Sequence, residues 1–190
     1  PKYDKPYFYY IKNLIKNLFR IEPKINITKN NLLVLTVSSK ELCEFIHKKF
    51  NLPYGNKIKN KIKIPTQIIK DKILIKACLR GLIDTDGFIG KSNNRLKIIF
   101  TSYNKGLLRQ VALLNRNLGF SDKYYKNNNI EICSKYKIIS YLNTIGSSNI
   151  RHIIRFKEML NNNKLLYKEE VLGYYSKYSN LKLPCYGSVV

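Results

Sequence analysis

One order of elements occurs twice in this chain: a helix, a strand, an Asn-rich turn, a strand, then a Ser-Lys pair that opens another helix. The two copies lie about 95–100 residues apart, and each is one supersecondary unit that needs a neighbour to bury its apolar face. Asn17-Leu18 is echoed by Asn117-Leu118, and Ser38-Ser39-Lys40 by Cys133-Ser134-Lys135. A long helix pattern and a β-hairpin precede the second copy. The first copy has no such prelude before Lys2, so the expectation is a truncated first repeat.

The local signals follow from spacing. Tyr7, Ile11, Leu14, Ile15 and Leu18 recur at helical intervals between Tyr7 and Phe19. Residues 24–28 and 32–37 read as strands around Asn30-Asn31. Ser38 or Ser39 caps a helix ending at Phe50, with Glu41 and Glu44 near its positive end. Pro53, Gly55 and a Lys/Asn-rich stretch mark a linker. A single helix is expected from Gln67 to Asp86, with Gly87 at its terminator position. Residues 88–91 and 95–101 form a hairpin across Asn93-Asn94. A helix from Tyr103 to Leu118, strands at 123–126 and 130–133, and a helix from Ser134 to Ile145 complete the second copy. Residues 150–160 read as a basic helix, with a short helix near 167–175. The expected domains are a partial first repeat with linker (1–63), a complete second repeat (64–146) and a helical extension (147–190).

With 190 residues and 44% hydrophobic content, the chain can bury a core. No apolar run reaches the roughly 18 residues of a membrane span. Its net charge of +23, from 35 Lys+Arg against 12 Asp+Glu, calls for a polyanion, and nucleic acid is the usual one. Lys, Asn, Ile and Tyr also share AT-rich codons, so composition alone leaves drift open. Cys43, Cys78, Cys133 and Cys185 are too dispersed for a metal centre and read as buried, reduced thiols.

Residues 79–87 read Leu-Arg-Gly-Leu-Ile-Asp-Thr-Asp-Gly. Ala77, Gly81 and Thr85 recur every four residues, a small-residue stripe along which two helix backbones can approach. Asp84 and Asp86 stand in the last helical turn, where a carboxylate opposes the helix dipole. An acid kept there against stability can hold Mg²⁺ beside a phosphate; taken as Asp-x-Asp alone, it can equally be a solvated pair.

The nine residues, the hairpin after them, the Asn104-Lys105 helix start, the paired repeats and the basic charge together resemble the LAGLIDADG homing endonucleases, over about Lys2 to Gly146. The resemblance implies an α+β fold of αββαββα repeats whose antiparallel sheets form a saddle in the DNA major groove. It implies two motif helices side by side and divalent-metal hydrolysis of double-stranded DNA. Asp86 takes the position of the metal-binding catalytic acid, and Asp84 that of a supporting residue. Ala77, Gly81 and Thr85 take helix-contact positions, and Lys91 or Ser102 is expected near the metal.

Strand alternation divides core from groove. Leu96, Ile98 and Phe100 face in; Arg95, Lys97 and Thr101, with Lys91, face DNA. Ile25 and Ile27 face in, leaving Lys24, Asn26 and Thr28 toward DNA, with Lys123 and Tyr125 as counterparts in the second copy. His47 is expected to be a packed or exposed helix residue rather than a base.

Only one motif is present. The site is therefore expected to need a second copy of the chain, as a homodimer, or a first motif upstream of Pro1, without which the chain is inactive. Other readings are an intron RNA maturase and a non-catalytic DNA-binding protein on the same fold. No splicing cysteine or terminal His-Asn pair points to an active intein. An intracellular setting, archaeal or organellar, fits the AT-rich composition.

Overall fold

The computed structural model describes residues 4–56, 58–120 and 128–178. Helix α1 (Lys5–Phe19) leads to strands β1 (Lys24–Ile27) and β2 (Leu33–Thr36), then α2 (Lys40–Phe50). The linker brings in α3 (Thr66–Ile69) and α4 (Lys72–Asp86). Strands β3 (Gly87–Ser92) and β4 (Arg95–Thr101), α5 (Lys105–Asn117), β5 (Asn129–Ile132) and α6 (Lys135–Thr144) follow. The extension holds α7 (Ile150–Asn162), α8 (Lys168–Val171) and a tight helical turn, Leu172–Tyr174.

Short polar residues set several boundaries. The Ser39 hydroxyl accepts from the Leu42 N–H at 3.1 Å and starts α2. Asn104 accepts from the Gly106 and Leu107 N–H groups and starts α5. Each satisfies donors that a helix start leaves orphaned. Asn93 and Asn94 both have positive φ (50° and 57°), which a two-residue hairpin turn requires. The expected single helix over 67–86 is in fact two. The Asp71 carboxylate accepts from the Ile73 and Leu74 N–H groups (2.7 and 3.1 Å) and begins α4 afresh.

Strands β3, β4 and β5 form one antiparallel sheet in that order, with Gly87 opposite Phe100, Ile89 opposite Ile98 and Phe100 opposite Ile130. Its inner face packs Ile89, Ile98, Phe100, Ile130 and Ile132 against Leu79 and Ile83 of α4. Leu108 and Val111 of α5, and Ile138 and Tyr141 of α6, close the same core. Met159 of α7 belongs to it too, so the extension is built into the second repeat rather than appended.

Among the described residues, strands β1 and β2 pair only with each other. Helix α2 buries no residue and α1 buries only Tyr7. Ile27, expected to face a core, is 69% exposed, and Phe45 is 50% exposed. Alternation fails at Ile27 because no described helix covers that two-stranded sheet as α4 covers β3–β5. Cys43 is likewise exposed rather than buried. Cys78 is half-buried, and burial pushes its thiol up to about 11. No described helix is long and apolar enough to cross a membrane. The expected strand at 123–126, with Lys123 and Tyr125, lies outside the described residues, as does Cys185.

Candidate active site

Helix α4 ends in two acids two residues apart. At about 100° per residue they point to opposite sides of the helix. Asp84 is turned inward and is 3% exposed. Its carboxylate accepts from the Ser147 hydroxyl and, at 2.6 Å, from the Ser148 N–H. The Asn149 amide donates to the Asp84 carbonyl at 3.3 Å. His152 Nδ1 lies 3.5 Å from the same carboxylate. Burial holds His152 below its ordinary range, outweighing the pull of Asp84. The ring is therefore neutral at pH 7, and the pair is a polar contact rather than an ion pair. Asp84 thus ties the helix end to the start of α7.

Asp86 is turned outward. It is exposed, and among the described residues it makes no hydrogen bond or ion pair. It opens into a cleft of about 460 Å³ walled by Phe19 of α1, Phe50 of α2, Ile64 of the linker and Leu107 of α5. Lys63 is the one cation in that wall among the described residues. The backbone on either side of Lys63 is pinned to α5: Asn104 Nδ2 donates to the Ile62 carbonyl at 2.7 Å, and the Ile64 N–H donates to Gln110 Oε1 at 2.8 Å.

Gly87 makes the sharp turn from helix to strand. It is extended (φ −93°, ψ 177°) rather than the left-handed terminator that its position suggests. A Cβ there would stand 2.7 Å from the Ile83 backbone, so glycine is required by close approach.

The Asp86 carboxylate is a donor that suits a hard cation. The carboxylate of Asp86 projects from the negative end of a helix dipole. No three His, Cys, Asp or Glu side chains gather as a metal cage among the described residues. Mg²⁺ does not need one, since it is commonly held by one or two carboxylates, water and phosphate oxygens. Asp86 fits one arm of such a site.

On the neighbouring flank of α4 a trough of about 580 Å³ separates it from α1. Ala77, Gly81 and Thr85 line one wall, and Tyr7, Tyr10 and Leu14 the other. A Cβ added at Gly81 would meet nothing within 4 Å, so no backbone takes up the close approach that the stripe permits. The Thr85 hydroxyl turns back to the Gly81 carbonyl at 2.8 Å.

The other expected residues divide. Lys91 pairs with Leu96 at the far end of the hairpin and shares the inner-face parity of Ile89. Its amine stands 4.7 Å from the Tyr167 ring centroid. Five extended residues from Asp86, roughly 16 Å, it belongs neither beside the metal nor with Arg95 and Lys97 on the outer face. Ser102 follows the end of β4, and its hydroxyl accepts from the Asn104 N–H at 3.2 Å, a turn contact.

Arg95 and Thr101 are exposed on the outer face as expected. Lys97 is there too, but paired with Glu131 at 2.9 Å, both mostly covered. Lys24, Asn26 and Thr28 are exposed on the first repeat. His47 is a packed residue, stacked on Tyr54 at 4.5 Å with Nδ1 2.9 Å from the Leu52 carbonyl.

Ser147 and Ser148 escaped the sequence reading; His152 and Arg155, which beside Arg151 read as a basic surface helix able to meet phosphate, are instead buried. Ser147-Ser148-Asn149 after Gly146 carried a capping signal; nothing local marked the basic helix as buried.

Residues 74–158 match the family model of the LAGLIDADG-like domain. No curated protein matches the chain.

Proposed function

We propose that this chain, a member of the LAGLIDADG family, supplies one half of a divalent-metal-dependent site that hydrolyses phosphodiester bonds of double-stranded DNA. The observation that carries the reading is the split between the two acids of α4. Asp84 is spent on structure, whereas Asp86 is exposed and, among the described residues, unpartnered at the negative end of the helix. The family binds double-stranded DNA and includes endonucleases, and a basic chain of +23 suits that ligand.

Each residue then has a task. Asp86 offers a hard oxygen donor at the end of a rigid helix. When bound there, Mg²⁺ would supply Lewis-acid polarisation of the phosphoryl oxygen and lower the pKa of water. Lys63, whose backbone neighbours are held at the same cleft, offsets phosphate charge. Arg95 and Thr101 on the outer face, with Lys24, Asn26 and Thr28, engage backbone and base edges. The open stripe of Ala77, Gly81 and Thr85 receives a second motif helix, which brings the second acid. That helix comes from another copy of the chain or from a segment joined to it.

Asp86→Asn tests the assignment. Cutting of DNA in Mg²⁺ should fall at least a hundredfold, while affinity for the same duplex in EDTA stays within a few-fold, since an interaction confined to the reacting phosphate is lost. A folded variant that loses binding and cutting together would contradict the role of Asp86.

A further inference from the structure

The helix–strand junction that carries Asp86 is held from both sides by one element. Asp84, two residues before it, is fixed by Ser147 and Ser148 at the entrance to α7. Ile89, three residues after it, is fixed by Arg155 within α7, whose Nη1 donates to the Ile89 carbonyl at 2.8 Å. We infer that Arg155 is a positioning residue, and that α7 clamps the junction so that the Asp86 carboxylate is presented in one orientation. The inference rests on the reading of Asp86 as the metal-binding acid.

The site of Arg155 is built for it. The residue is 3% exposed. Its guanidinium lies 5.3 Å from the Phe88 ring centroid. Gly90 leaves the notch it fills, since a Cβ there would stand 2.8 Å from Nη1. No carboxylate makes an ion pair with it among the described residues. A cation buried without one is costly, and an apolar residue of similar volume would serve packing better. What the guanidinium adds is a directed bond to a carbonyl of the edge strand β3. Burial lowers its pKa to about 10, so it stays charged at neutral pH.

The far end of α7 is anchored as well. Met159 lies in the main core. Glu158 accepts from Lys177 Nζ at 2.6 Å and from the Tyr178 hydroxyl at 2.8 Å. The clamp is therefore a strut seated at several points. Partners that orient a metal ligand are typically worth about 10–100-fold in metal affinity.

The test is Mn²⁺ affinity of the chain bound to duplex DNA, read from the free-ion electron paramagnetic resonance signal, together with amide hydrogen exchange over 87–90. Arg155→Met should weaken Mn²⁺ binding by about tenfold and speed exchange in that segment. Arg155→Lys, which keeps one donor for the Ile89 carbonyl, should recover most of the affinity. Should Arg155→Met fail to fold, Gly90→Ala displaces the guanidinium from the other side and is held to the same two readouts. A folded variant with wild-type Mn²⁺ affinity overturns the clamp. A wild-type chain that binds no Mn²⁺, or binds it equally well as Asp86→Asn, overturns the reading of Asp86 and this inference with it.

Discussion

The two repeats begin from the same order of elements and end in different states. In the second, α5, β5 and α6 close over α4 and the β3–β4 hairpin, and Leu79, Ile98 and Ile138 are almost wholly buried. In the first, α1, β1–β2 and α2 have no described counterpart of α4 or of that hairpin. Leu18, Ile27 and Phe45 are left at 57, 69 and 50% exposure. The αββα pattern alone therefore does not make a core. The motif helix with its hairpin is what turns a repeat into a closed unit, and the same helix carries the candidate acid.

The sharpest way to break this comparison is to remove one side chain from each repeat. Leu79→Ala should destabilise by about 3 kcal/mol or more, from lost burial plus a cavity. Ile27→Ala should change stability by no more than about 0.5 kcal/mol, as for surface changes. Urea unfolding of both would check this; equal losses would mean that the first repeat is packed in solution. Next in size, Gly81→Ala should stabilise the isolated chain by about 0.8 kcal/mol, the helix propensity difference, because the added Cβ meets nothing. A destabilised variant in the same unfolding series would show the trough already filled by a second helix.

The smallest effect concerns the extension. Glu158 is held at about 2, first by the bond from Lys177. A carboxyl lowered on folding contributes stability that is complete above its unfolded value near 4.5 and is lost as pH falls toward 2. Intrinsic tyrosine fluorescence should therefore report loosening of the segment around Tyr174 and Tyr178 across that acid window, and Glu158→Gln should remove the acid step.

Much of this was legible in the residues. Ser39, Asn104 and Asn149 cap where short polar side chains should, and Asn31, Asn93, Asn94, Asn128 and Asn163 take the positive φ that asparagine tolerates. The small-residue stripe and the acid-ended helix were legible too. The split between Asp84 and Asp86 was available from helical geometry, since two residues turn a side chain to the opposite face. Lys91 was misassigned because alternation had to be counted from Ile89, with which it shares a face. Ile27 could not be placed, because exposure there depends on which elements cover a sheet rather than on the strand itself. Arg155 was hidden for the same reason: its partners are a backbone carbonyl and a glycine notch 66 and 65 positions away.

The central claim is that one motif helix is half of a site. The most direct measurement is the mass in solution of the complex that cuts duplex DNA in Mg²⁺. Two motif helices per cut duplex is the result expected, as two copies of this 190-residue chain on one DNA or as one copy joined to a segment that carries the other helix. A single copy without such a segment that severs both strands would contradict it.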